Sequence, residues 1–132
     1  MHMITIEHIA IWVKDLDGMK IFYEKYFGAV AGQQYHNPAK GFYSYFMRFG
    51  DGCRLELMQM PTIPESLDNP ASQFTGLIHF AVSVGSRTRV DALTERLRED
   101  GYTIAGEPRT TGDGYYESVV FDPEGNRVEI TA

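Results

Sequence analysis

The 132 residues include one cysteine, Cys53, so an intrachain disulfide is excluded. Its place in an apparent turn favours a filler over a nucleophile. No apolar run approaches the roughly 18 residues needed to span a bilayer, which excludes a membrane-crossing helix. Positive charge is also scarce: 12 Lys and Arg face 18 Asp and Glu, giving a net charge of −6, with a pI near 5.1. That balance opposes a nucleic-acid footprint, and the charges are interspersed rather than blocked. A small-molecule partner is expected. The opening Met1-His2-Met3-Ile4 has no basic stretch followed by an apolar block, so no secretory signal is expected and the expected compartment is the cytoplasm. What the chain does have is 43% hydrophobic and 13% aromatic residues, enough for one globular domain.

The chain repeats itself. Gly125-Asn126-Arg127-Val128-Glu129-Ile130 shares Gly-x-Arg-aliphatic-Glu-aliphatic with Gly52-Cys53-Arg54-Leu55-Glu56-Leu57, seventy-three positions earlier. Upstream of each glutamate stands a histidine in matching context, His8-Ile9-Ala10-Ile11 and His79-Phe80-Ala81-Val82. An offset of 71 carries His8 to His79, Met19 to Val90, Phe22 to Leu93 and Tyr26 to Leu97. Beyond the helices an offset of 73 carries Gly28 to Gly101, Tyr43 to Tyr116, Arg54 to Arg127 and Glu56 to Glu129. A dozen type-matched positions with one indel mark a duplication.

Each copy reads as β-α-β-β-β, an α+β arrangement. In the first module, 4–60, alternation over 4–13 predicts a strand with His8 opposite in parity to Ile9 and Ile11. Asp15 offers a helix N-cap, Met19, Phe22, Tyr23 and Tyr26 share a helical face, and Gly28 ends the run. Strands are predicted over 29–35, 42–49 and 54–60, with Asp51-Gly52 as a hairpin turn. Pro61, Pro64 and Pro70 mark 61–75 as a connector. In the second module, 76–131, a strand over 77–84 precedes a helix capped by Ser86 and buried through Val90, Leu93 and Leu97. Strands over 102–109, 115–122 and 127–131 follow. Tyr43 and Tyr116 are expected to fill the module cores.

Parity places Glu56 opposite Leu55 and Leu57, and Glu129 opposite Val128 and Ile130. With the aliphatic sides under the helices, His8, Glu56, His79 and Glu129 fall on the concave side of a curved sheet. Two imidazoles and two carboxylates suit a divalent first-row ion, with positions left for water or substrate oxygens. Without metal the same four groups would suffer desolvation and like-charge repulsion. A lone strand histidine is more often structural, and His2 and His36, which lack repeat equivalents, are read as surface residues. Arg54 and Arg127 share the glutamates' parity and are expected to find carboxylate partners. Met58 and Met60 are expected to shape an apolar wall.

These segments, with Asp122-Pro123-Glu124-Gly125-Asn126 as the most specific, resemble the vicinal oxygen chelate superfamily, and most closely glyoxalase I (lactoylglutathione lyase) proteins. The resemblance covers nearly the whole chain. It implies paired βαβββ modules forming an eight-stranded cleft, a homodimer, and metal ligands at His8, Glu56, His79 and Glu129. The metal implied is Ni, Zn, Co or Mn, and the thiol co-substrate is glutathione or another thiol. Extradiol dioxygenases and fosfomycin-resistance transferases resemble a His, His, Glu triad without a counterpart of Glu56, and methylmalonyl-CoA epimerases a His, Gln, His, Glu set. Bleomycin-resistance-like binding proteins lack the set.

By that resemblance the chemistry is proton transfer through a metal-stabilised enediolate, turning a hemithioacetal into a 2-hydroxyacyl thioester. Glu56 and Glu129 are the candidate catalytic bases, with the resemblance favouring Glu129. The alternatives are another metalloenzyme of the superfamily, an epimerase or a dioxygenase, and a non-catalytic binding or resistance protein. One departure bears on the substrate. Where bacterial glyoxalase I proteins resemble an Arg and an Asn that help hold glutathione, this chain has Trp12 and Met60, which make no charge-assisted bonds. Trp12 either stacks on a substrate or packs at the sheet edge.

Overall fold

The computed structural model describes residues 2–132, and in it the alternation beginning at His8 becomes strand β1 (His8–Trp12). Helix α1 (Leu16–Phe27) starts because Asp15 accepts a hydrogen bond from Gly18 N at 3.0 Å, meeting an otherwise unpaired donor of the first turn. It stops at Gly28, whose φ of 64° is the left-handed conformation glycine adopts without steric cost. Met19, Phe22, Tyr23 and Tyr26 form its buried face, as the spacing predicts, and Leu16 is buried with them.

The second strand of the first module is broken. Instead of one run over 29–35, there are β2 (Val30–Ala31) and β3 (Tyr35–Asn37), both paired antiparallel with β4 (Phe42–Arg48). The interruption falls at Gly32-Gln33-Gln34, a segment with little β propensity. The last strand of this module is β5 (Arg54–Gln59), which lies between β4, antiparallel, and β1, parallel.

The second module follows the same plan without the break. Strand β6 (His79–Ser83) leads to α2 (Arg87–Glu99), capped where Ser86 Oγ accepts from Arg89 N at 3.2 Å. Strands β7 (Ile104–Thr110), β8 (Tyr116–Phe121) and β9 (Arg127–Thr131) complete a sheet ordered β6-β9-β8-β7, with β6 parallel to β9. The buried face of α2 is Val90, Thr94 and Leu97, with Thr94 in place of the expected Leu93. Thr94 is tolerated there because its hydroxyl is satisfied by Val90 O at 2.6 Å and Ser118 Oγ at 2.7 Å.

The described residues thus form nine strands in two sheets, where eight strands were expected, and the chain divides into two compact units meeting at Glu65 and Ser66. Within the first unit Met47, Leu55 and Leu57 are buried with the inner face of α1, and within the second Val120, Val128 and Ile130 are buried with that of α2. Burying each such side chain contributes about 1.5–3 kcal/mol. Because strand side chains alternate, these packed residues oblige their neighbours Glu56 and Glu129 to face the other way. No helix among the described residues is long and apolar enough to cross a membrane.

Candidate functional site

In each unit the histidine strand runs parallel to the glutamate strand, and Ala10 lies opposite Glu56 as Ala81 lies opposite Glu129. The small alanines leave the imidazole, two residues earlier, free to reach toward the carboxylate. His8 Nε2 is 3.6 Å from Glu56 Oε1, and His79 Nε2 is 3.3 Å from Glu129 Oε1. The two pairs match in environment as well, since the histidine side chains are 38% and 39% exposed and the glutamates 14% and 19%. The four candidate ligands are therefore brought together two by two, one pair within each unit. Among the described residues no group of three or more His, Cys, Asp or Glu is arranged to hold a metal ion.

Both separations are longer than an N–H···O hydrogen bond of about 2.7–3.2 Å. Two donors each about 2.1 Å from one ion and 90–110° apart lie about 3.0–3.4 Å from each other. The second pair falls inside that range and the first just beyond it, so the residues fit a divalent ion better than they fit a direct hydrogen bond. The mixed imidazole–carboxylate donor set is also suited to first-row divalent ions.

Two acidic residues that the sequence did not single out complete these pairs. Glu7 accepts from His8 Nδ1 at 2.9 Å and from Arg54 Nε at 2.8 Å, and bonds Arg54 Nη2 as well. Its hydrogen bonds to Arg54 and then to His8 pull its carboxyl from the usual range to about 2. Arg54 thus finds the carboxylate partner expected of it. In the second unit the Glu117 carboxyl is pushed up by burial first and by its neighbour Glu129 second, against the opposing charge of Arg109. Arg109 lies directly across from Glu117 in the β7–β8 ladder. Strand alternation, not the repeat, offered a signal for Glu117, which lies two residues before Val119, the partner of Glu129.

The walls differ from expectation in places. Tyr43 is half-buried and stacked on His36, with centroids 4.1 Å apart, rather than filling the core. Tyr116 donates to Asp91 at 2.6 Å beneath the Arg87 guanidinium. Trp12 packs edge-on to Phe42 at 6.0 Å yet stays 42% exposed, on the same strand face as His8. Arg127 lacks the carboxylate partner expected of it: its Nη2 donates to Pro70 O at 3.3 Å and its buried Nε has no partner among the described residues.

The sequence profile of the Glyoxalase/Bleomycin resistance protein/Dioxygenase superfamily matches residues 5–130. The chain belongs to that superfamily. Among superfamily relatives, the uncharacterized protein YwkD of Bacillus subtilis (strain 168) is 30% identical over 128 residues, spanning 96% of this chain and 94% of YwkD. The glyoxylase/bleomycin resistance protein/dioxygenase domain from Frankia sp. EAN1pec shares the fold at a TM-score of 0.80 and 18% identity, covering 98% of both chains. The trypanothione-dependent glyoxalase I of Leishmania major aligns at 0.77 and 22%, covering 98% of this chain and 86% of that one. At such identities the likeness is one of fold, and it includes a glyoxalase I enzyme.

Proposed function

We propose that this superfamily member is a metal-dependent, glyoxalase I-like lyase that isomerises a hemithioacetal to a 2-hydroxyacyl thioester, with His8, Glu56, His79 and Glu129 as its metal ligands. The observation that carries this reading is the twofold recurrence of a His–Glu pair, on equivalent strands of both units, with donor atoms 3.3 and 3.6 Å apart. A glutamate at the first unit's position matters most. A His, Glu, His, Glu set is the one that resembles glyoxalase I rather than the dioxygenase or epimerase sets.

When bound, the ion supplies Lewis-acid polarisation of adjacent substrate oxygens, which acidifies the neighbouring C–H. The protein's own part is to move the proton. A carboxylate oxygen of Glu129, or of its repeat counterpart Glu56, takes the proton from the carbon bearing sulfur and returns it to the adjoining carbon. No atom is gained or lost: the carbonyl migrates to the sulfur-bearing carbon and the hydroxyl to its neighbour. Both carboxylates are largely shielded from water, at 14% and 19% exposure, which favours proton return to substrate over loss to solvent. The thiol is glutathione or another thiol.

The deciding experiment is turnover of the methylglyoxal–glutathione hemithioacetal by protein reconstituted with Ni, Co, Zn or Mn, followed by thioester absorbance. Loss of activity in both Glu56→Gln and Glu129→Gln is expected. Stoichiometric metal without turnover would overturn this substrate and redirect the search to other thiols.

A further inference from the structure

Glu7 stands immediately before β1, and its carboxylate joins His8, a member of the first pair, to Arg54, two residues before Glu56. One oxygen accepts from His8 Nδ1 at 2.9 Å, the other from Arg54 Nε at 2.8 Å, while Arg54 N donates to Glu7 O at 3.0 Å. Arg54 in turn lies 4.1 Å over the ring of Phe46, against which His8 packs edge-on at 5.1 Å. An acceptor-only carboxylate at Nδ1 requires that nitrogen to carry the proton, which leaves Nε2 bare on the side of Glu56. His8 is therefore held from its Nδ1 edge and from its flank in the one orientation and tautomer in which Nε2 can ligate.

The second unit serves as an internal comparison. Ile78 precedes His79 where Glu7 precedes His8, so no carboxylate is supplied from that position. The consequence is visible one strand over. Arg127, the repeat equivalent of Arg54, has a buried Nε without a partner among the described residues, at the atom through which Arg54 binds Glu7. The duplication has kept the arginine and the histidine in both halves but the orienting carboxylate in only one.

We propose that Glu7 is a positioning residue that fixes His8 as the Nδ1–H tautomer and so pre-organises the His8–Glu56 pair for a metal ion. The metal part of this inference rests on the function proposed above. A carboxylate behind a ligating histidine fixes its ring and raises its basicity, and losing one typically lowers metal affinity about 10–100-fold.

The test uses the full chain, metal-free, in imidazole 15N–1H correlation spectra at a pH where histidines are neutral, together with calorimetric titration of Co(II). In the wild type His8 is expected as the Nδ1–H tautomer and His79 as a mixture. Glu7→Ala should turn His8 into a mixture, leave His79 unchanged and weaken Co(II) binding about 10–100-fold. Glu7→Gln, whose amide oxygen can still accept from Nδ1, should restore most of both. An unchanged His8 tautomer in Glu7→Ala, or an unchanged Co(II) affinity alongside a changed tautomer, overturns the proposal. A wild type that takes up no Co(II) overturns the metal reading and the pre-organising role with it. The tautomer spectra then separate that failure from a failure of the Glu7–His8 contact itself.

Discussion

The Glu117 carboxyl is pushed up by burial and then by its neighbour Glu129 one strand over, and the position equivalent to Glu117 in the first unit is Ser44, seventy-three residues earlier. The surroundings of the two His–Glu pairs therefore differ: the first has a carboxylate behind its histidine, the second a carboxyl beside its glutamate. Glu117 is expected to restrain the Glu129 side chain from the neighbouring strand. Replacing it with Ala should weaken Co(II) binding about 10–100-fold, the usual cost of losing an outer partner of a ligand. Glu117→Gln can still hydrogen-bond to Glu129 and should lose less. Equal losses in the two variants, measured by calorimetric titration, would assign the effect to charge rather than to the hydrogen bond.

A pH dependence of stability is expected away from the site. Arg98 donates to Glu107 through Nη1 at 2.9 Å and to Glu95 through Nε at 3.0 Å, and its hydrogen bonding lowers the Glu107 carboxyl from its ordinary 4.5. With the folded value below the unfolded one, the unfolded chain binds more protons in that window. The contribution is thus complete above about 4.5 and is lost as the pH falls toward the folded value. Calorimetric melting should show Glu107→Gln less stable than the wild type near neutrality, with the difference closing in acid. The pair is exposed, so the difference will be small and will shrink with added salt.

The parts of this molecule that sequence makes legible are those governed by period. His8, Glu56, His79 and Glu129 stand out because alternation fixes their face and duplication doubles the signal. The caps at Asp15, Gly28 and Ser86 were readable for the same local reason. Glu7 was not, because adjacent strand residues normally point to opposite faces. Glu7 lies just outside β1 and its side chain bonds that of the next residue, a contact that alternation does not predict. Glu117 was hidden by the repeat itself, since its counterpart is a serine. Thr94 is buried and Leu93 only half-buried, and the hydroxyl bond to Ser118 that satisfies Thr94 is encoded in no hydropathy pattern. The paired glycines also diverge. Gly125 takes a φ of 85°, whereas in the first unit Gly50 rather than Gly52 is left-handed.

The turn that delivers β9 depends on Asp122. Its Oδ1 accepts from Glu124 N at 2.9 Å and from Asn126 N at 3.0 Å, and the side chain is buried with the residue at 4% exposure. Asp122→Ala strands two backbone donors and should cost about 1–3 kcal/mol in urea unfolding. Gly125→Ala should also destabilise, because at that φ an added Cβ would sit 2.7 Å from Pro70 Cγ.

Glu56 and Leu57 are neighbours with opposite duties, and a pair of variants separates them. Leu57 is fully buried with the inner face of α1, so Leu57→Ala leaves a cavity and should cost about 2–5 kcal/mol. Glu56 faces the other side of the sheet, and its nearest ionic contact is His8 at 3.6 Å, too long to contribute a strong hydrogen bond. Glu56→Gln should therefore leave the unfolding of metal-free protein close to wild type while removing the added stability that excess divalent metal gives. That added stability follows from mass action, since a ligand bound only by the folded state raises stability with its concentration above Kd. Unfolding curves with chelator and with Co(II) read both effects in one experiment. A Glu56→Gln protein stabilised by Co(II) as strongly as the wild type would remove Glu56 from the ligand set.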